Sequence, residues 1–358
     1  MKILNLTAAL CLTVVLAACG GSSGTTEVAA APDDLNQPST GELRVFAYED
    51  SVTPEMMKPF EEQNPDLNIK TATFDSNAEA AAKLAGGFEA DVIEICLDEA
   101  DPLLQRKQLR PIDTAAVTDW DELAFRDEPE VRQDGEVIMV PLSAGPHGVI
   151  YDPTQIDQEI DSFKDVFDPE FAGRSALGAD FSLTPIAVAA LAMGMEDPMD
   201  LSQEELDQVG DYLDENRDQF RALWRSDSDL VNLYKSGEIA ISDGNSGQAK
   251  RIQEAGVPVK WVAAEEGTLS WVCGFSISSK AKNLQAAYRL INWQASAEAQ
   301  AIRGGNGYVV TNPEAMPLVD EDDVLTADPS SLENVIPYSK PPLHDQWIRI
   351  FQDFQTAG

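Results

Sequence analysis

Positive charge is scarce in this chain. Against 62 acidic residues stand 25 Lys and Arg and two His, a formal net charge of −37. A field of that sign repels phosphate backbones, which excludes nucleic acid as a partner. Its acids are spread along the whole sequence, as on a surface adapted to salt or kept soluble; acids gathered in a cleft would instead attract a cationic ligand. The shortage of histidine closes catalytic routes as well. His147 and His344 stand in no supporting motif, so Gly244-Asn-Ser-Gly247, which has the look of a protease nucleophile loop, lacks its base and orienting acid. There is no Gly-x-Ser-x-Gly elbow, no phosphate loop ending in Lys-Ser/Thr, and no His-x-x-x-His or Cys-x-x-Cys zinc spacing. Asp320-Glu-Asp-Asp323 lacks the regular spacing of a calcium loop and reads as a solvated acidic turn. The chain therefore reads as a binder, not an enzyme, with no cofactor and no metal.

Long apolar runs are also few. The only extended one follows Lys2 and ends in Leu16-Ala17-Ala18-Cys19, too short to span a bilayer comfortably and closed by small residues. That is a secretory signal over residues 1–18, and its ending resembles the bacterial lipobox. The resemblance implies cleavage before Cys19, lipid on its thiol, and a protein held at the outer face of the cytoplasmic membrane. Residues 19–42, rich in Gly, Ser, Thr, Ala, Pro and Asp, read as a flexible tether with a reach of roughly 25–30 Å. Cysteine is sparse too: four in all, of which Cys11 leaves with the signal. Cys96 and Cys273 remain, an even pair in an oxidising compartment. Spacing leaves open whether they form a disulfide or sit reduced in the core.

What is present is an α/β pattern. Leu43–Tyr48, Asn68–Phe74, Ala90–Ile95 and Val137–Pro141 read as strands, with a helix over Ala78–Leu84. Strands alternating with helices predict a mainly parallel sheet. Ile186–Met195 reads as a buried helix. Ser202 and Glu205 form a capping box, and Leu206, Val209, Leu213, Phe220 and Leu223 continue at helical spacing. Gly237–Ser242 reads as a strand running into a loop at Asp243–Ser246, followed by strands Val259–Val262 and Trp271–Ile277. Helices over Leu284–Trp293 and from Ser296 to Gly304-Gly305 complete the pattern.

Three stretches resemble the solute-binding proteins of ABC importers, in particular the spermidine/putrescine-binding group. They are Leu43-Arg-Val-Phe-Ala-Tyr-Glu-Asp50 with Phe60-Glu-Glu-Gln-Asn-Pro65 and Phe74-Asp-Ser-Asn77; Phe163–Arg174; and Leu233-Tyr-Lys-Ser-Gly-Glu-Ile-Ala-Ile241 with Trp271-Val272, Lys280–Asn283, Ala287–Asn292 and Gly307-Tyr308. Order and spacing hold from residue 43 almost to the end, including Trp347. The resemblance implies an α/β, two-lobed, type II periplasmic-binding-protein fold with two hinge crossovers and a ligand cleft between the lobes. Lobe one would combine 43–148 with 273–318, and lobe two 149–272 with 319–358. A monomer would close on its ligand and present it to a membrane permease, without chemistry.

Carried over residue by residue, the resemblance puts Tyr48 at an aromatic position of the pocket, beside Glu49 and Asp50, and Trp271 at a pocket tryptophan. Cys273 replaces an acid, Ser242 a pocket aromatic next to Asp243, and Asp98 and Glu99 a tyrosine pair. Leu142–Gly145 lacks the expected aromatics, and His147 follows it as a further candidate contact on a loop. Cys96 and Cys273, if paired, would stiffen lobe one beside the cleft. Acids with fewer aromatics still favour a cationic amine, putrescine or spermidine first. Two alternatives on the same fold are a different small solute and a ligand-sensing subunit of a membrane receptor.

Overall fold

Short apolar strands alternate with helices from Gly41 onward in the computed structural model, which describes residues 31–74, 77–97, 100–179, 183–320, 327 and 335–356. The signal, Cys19, Asp98 and Glu99 lie outside the described residues, as does the acidic turn beyond Asp320. The first half of the chain carries β1 (Gly41–Ala47), β2 (Leu67–Thr73), β3 (Val92–Cys96) and β4 (Leu109–Arg110), with helices α1 (Pro54–Gln63), α2 (Asn77–Ala85) and α3 (Asp101–Gln105) between them. A small hairpin, β5 (Arg132–Gln133) and β6 (Glu136–Val137), precedes the long strand β7 (Val140–Tyr151).

After β7 come β8 (Ser175–Gly178), α4 (Thr184–Ala192), α5 (Gln203–Glu215), β9 (Phe220–Trp224), α6 (Asp227–Ser236), β10 (Ile241–Asn245), α7 (Ser246–Glu254) and β11 (Lys260–Val262). A second long strand, β12 (Thr268–Ser278), leads to α8 (Leu284–Ala295), α9 (Ala297–Gly305) and β13 (Val309–Val310); β14 (Val335–Pro337) and α10 (His344–Thr356) close the chain.

One sheet runs through the molecule in the order β2-β1-β3-β12-β7-β10-β8-β9, with β4 and β14 added on β12 and β11 and β13 on β7. It is mixed, not mainly parallel. The pairs β1–β2, β1–β3, β10–β8 and β8–β9 are parallel, but β3–β12, β12–β7 and β7–β10 are antiparallel. The antiparallel centre arises because the two long strands run past each other in opposite directions.

Two hydrophobic cores flank that centre. The first gathers Leu43, Phe46, Ile93, Ile95 and Phe60 with Val272, Phe275, Ile291 and Val309. The second gathers Val149, Phe163, Phe171, the apolar α4, Leu206, Val209 and Leu213 with Leu269, Trp347 and Phe354. This is the two-lobed α/β fold with β7 and β12 as its hinge crossovers. The chain returns to the second core once more, after Asp320, to deliver α10. Val319 and Ala327 pack with Val310 and Ala315 in a small cluster beside α9. Gly304 leaves the room: a Cβ there would stand 2.9 Å from Val319 Cγ2 and 3.1 Å from Ala327 Cβ.

Other local expectations change for identifiable reasons. α5 begins as expected, with the Ser202–Glu205 capping box, but stops at Glu215. Phe220 and Leu223 belong to β9, and their helical spacing is a coincidence of a strand following a helix. Residues 31–40, read as tether, are held against the first core: Ser39 N–H donates to Asn64 Oδ1 at 2.8 Å and Arg289 donates to the Leu35 carbonyl at 2.6 Å. The supposed loop at Asp243–Ser246 is the end of β10 and the start of α7, where Asn245 Oδ1 accepts from Gln248 N–H and Gln248 Oε1 accepts from Asn245 N–H in a capping box.

Candidate functional site

Each long strand changes neighbours midway. On one flank β7 pairs with β12 up to His147 and with β11 from Val149; on the other it pairs with β13 at Ser143 and Ala144, and with β10 from His147. β12 passes from β14, at Thr268–Ser270, to β3, at Cys273–Ile277. Where strands exchange partners a sheet must part, and a crevice opens there. The crossing pair is Trp271 opposite Gly145, and a Cβ on Gly145 would fall 2.2 Å from the indole. Glycine is what lets the ring lie across β7 and face the crevice.

That crevice is a cavity of about 1050 Å³ between the lobes, bordered by Tyr48, Glu49, Asp50, His147, Trp271 and Cys273 among the residues expected from sequence. Aromatic surface comes from Tyr48 against Phe74 (ring centroids 4.5 Å apart) and Trp271 edge-on to Tyr308 (5.6 Å). Cys96 and Cys273 stand directly opposite each other on β3 and β12 and are disulfide-bonded, forming part of the floor.

Asp243 does not line the cavity. It is fully buried behind the wall, where Oδ1 accepts from Gly178 N–H at 2.7 Å and Trp224 Nε1–H at 3.2 Å, and Oδ2 lies 2.9 Å from His147 Nε2. Its carboxylate is fully used in setting Trp224 and His147, which do border the cavity. His147 lies within β7, not on a loop, and its partner is this side chain. Ser242, likewise buried, contacts the Tyr234 hydroxyl at 3.0 Å.

Several bordering groups carry no motif. Glu94 stands in β3, every residue of which is buried. Its carboxylate accepts from Ser51 Oγ–H at 2.7 Å and Tyr48 N–H at 2.9 Å, thereby tying down the turn that carries Glu49 and Asp50. Burial pushes the Glu94 carboxyl up to about 7; the Arg303 guanidinium pulls it down and the Asp50 charge adds to the rise. A charged residue inside an otherwise apolar strand run was the available sequence signal. On the opposite wall, Arg225, Ser226, Asp227 and Ser228 lie at the start of α6 and were hidden by extending α5 too far.

The lobes meet at one rim. Ser246 Oγ–H donates to the Gly307 carbonyl at 2.7 Å, and Arg251 donates to the Tyr308 hydroxyl at 3.0 Å while also pairing with Asp227. Burial and then the Asp50 carboxylate push the Tyr308 hydroxyl well above its ordinary range. The chain Asp50, Tyr308, Arg251, Asp227 thus spans the cleft. Among the described residues no cluster of His, Cys, Asp and Glu could hold a metal ion, and no helix is long and apolar enough to cross a membrane.

A family model described as "Bacterial extracellular solute-binding protein" matches residues 55–332. The "Spermidine/putrescine-binding periplasmic protein 1" of Haemophilus influenzae is 23% identical over 336 residues, covering 92% of this chain and 90% of that protein. A crystal structure of the spermidine/putrescine ABC transporter substrate-binding protein of Streptococcus pneumoniae superposes with a TM-score of 0.78 at 20% identity, covering 88% of this chain and 99% of that one. The PBP MotA from A. tumefaciens B6, in complex with glucopine, superposes with a TM-score of 0.69 at 18% identity, covering 88% and 100%. At those identities the structural likeness speaks for the fold alone.

Proposed function

This chain belongs to the bacterial extracellular solute-binding proteins, and from that membership we propose that it captures a small amine for an ABC importer. The observation that carries the reading is the cleft, where Glu49, Asp50 and Glu94 stand with Tyr48 and Phe74 on the side of the first core, and Trp271, packed on the second core, borders the same cavity. Carboxylates attract an ammonium group, and aromatic faces cover a methylene chain and hold a cation by its charge. Putrescine and spermidine are the first candidates, supported by the names of the relatives at 23–24% identity. Lobe closure about β7 and β12 would bury the ligand and form the surface a permease reads. Lipid on Cys19 would keep this monomeric receptor beside its permease. A different solute on the same fold is the second reading, favoured by the glucopine-bound neighbour.

The test is calorimetric titration of the purified protein with putrescine, spermidine, amino acids, sugars and anions. Micromolar affinity for an amine, about −8 kcal/mol, supports the reading. Heat only with a sugar or a simple anion would refute it. Mass spectrometry of the N-terminal peptide tests the anchor: a diacylglyceryl adduct on Cys19 is expected, and an unmodified thiol would refute it.

A further inference from the structure

The charges of the cleft are sorted by wall. On lobe one, Glu49 and Asp50 face the cavity. On lobe two every described acid at or behind the wall is already engaged. Asp243 serves three donors, Gly178 N–H, Trp224 Nε1–H and His147. Asp227 pairs with Arg251 and accepts from Gln248 Nε2–H at 2.8 Å. What remains on that wall is a cation. Arg225 is exposed and borders the cavity, and among the described residues its guanidinium makes no hydrogen bond or ion pair; only its backbone N–H is used, by Asp229. Ser226 and Ser228 flank it with hydroxyl groups, at the N-terminal end of α6.

A diamine needs an acceptor for each of its two ammonium groups. This cleft offers two carboxylates at one wall, Glu49 with no hydrogen bond among the described residues and Asp50 shared with the Tyr308 hydroxyl, and at the other an unpaired guanidinium that would repel the second ammonium. A ligand with opposite charges at its ends satisfies both walls. We propose that the captured amine is an amino-carboxylate, its ammonium end against Glu49 and Asp50 and its carboxylate end against Arg225, Ser226 and Ser228. A planar guanidinium fork matches a carboxylate with two parallel hydrogen bonds. This inference rests on the amine reading above and narrows it.

Length-matched pairs separate the two ideas: 4-aminobutyrate against putrescine, and 6-aminohexanoate against 1,6-diaminohexane, each titrated into the purified protein with tryptophan fluorescence and calorimetry as readouts. At least one amino-carboxylate is expected to bind about tenfold or more tighter than its diamine, the scale of one charge-assisted contact. R225Q should erase that ratio, and R225K should retain part of it. Because Arg225 is exposed, both variants should melt within about 1–2 °C of the parent, the usual result for a surface substitution. A diamine that binds tighter than its partner amino-carboxylate, or a ratio untouched by R225Q, overturns the inference and leaves the amine reading standing. Silence with both pairs and with spermidine overturns both.

Discussion

Replacing Glu94 by glutamine should change how stability depends on pH, with a sign fixed by its surroundings. The carboxyl is buried in β3, and its affinity for a proton is carried from 4.5 up to about 7 in the fold, first by burial. Below the lower value both the folded and the unfolded chain hold the proton. Between the two the unfolded chain gives it up while the folded one retains it, so stability falls as pH rises; above about 7 both are ionised and the full loss is present. At ~1.4 kcal/mol per pH unit that loss is about 3 kcal/mol. For a body of this size it corresponds to about 5 °C in melting temperature.

Carboxylates remote from this site titrate equally in parent and variant, so the difference between the two isolates Glu94 and its coupling to the neighbouring Asp50. Thermal melts from pH 5 to pH 8 should find E94Q level with the parent, or slightly below it, at the acid end. At the alkaline end it should be about 3 kcal/mol more stable. A difference that stays constant over the range would mean that Arg303 keeps Glu94 ionised throughout, and the reasoning fails. Ligand binding supplies a second reading of the same group. An ammonium group arriving beside Asp50 and Glu94 favours the ionised form, so calorimetry near pH 7 in buffers of different ionisation enthalpy should register proton release.

Substituting both Cys96 and Cys273 by serine removes a link that closes a 177-residue separation, and should lower stability by about 2–5 kcal/mol in denaturant melts; an unchanged midpoint would mean the β3–β12 ladder alone sets the register. G145A places a methyl group where the Trp271 indole lies, so it should destabilise by about 1–3 kcal/mol and weaken ligand binding by turning the ring out of the cleft; binding unchanged within error would show that Trp271 does not touch the ligand. D243N leaves one of three donors facing an amide N–H, and urea melts should show a loss of about 2–4 kcal/mol, with altered Trp224 emission; parent-like behaviour in both would mean that His147 and Trp224 are held by packing alone.

Much of the outer frame was legible because it depends on local rules. The alternation of β2, the Ser202–Glu205 capping box and Ser296 as the cap of α9 appear where the sequence pattern puts them, and the buried apolar helix, read as Ile186–Met195, appears as α4 at Thr184–Ala192. The hinge strands were harder. Pro141, Gly145, Pro146 and Gly148 break any strand pattern, yet β7 runs through them: Pro141 sits beside a register shift against β12, the Trp271 ring crosses at Gly145, β13 has left before Pro146, and β12 has left before Gly148. Site residues divide the same way. Tyr48, Glu49, Asp50, His147, Trp271 and Cys273 border the cavity. Asp243 turned inward because three donors converge on it, a fact of tertiary packing with no trace in spacing. Arg225, Arg251, Tyr308 and Glu94 reach the cleft from four separate elements, so no window of sequence contains their relation.

The paired strands between the lobes also decide what kind of unit this protein can be. β7 lends Val140–His147 to β12, His147–Tyr151 to β10 and Val149–Tyr151 to β11, while β12 serves β14 at one end and β3 at the other. No cut of the chain releases either half with its sheet complete. A fragment stopping at Gly148 would leave the first half without β12, and a fragment starting there would face β10 and β11 with half a strand. The lobes are therefore not exchangeable modules. They should melt in a single transition and resist dissection by proteases at the waist, and any recombination that swaps ligand specificity must replace cleft side chains in place instead of transplanting a lobe.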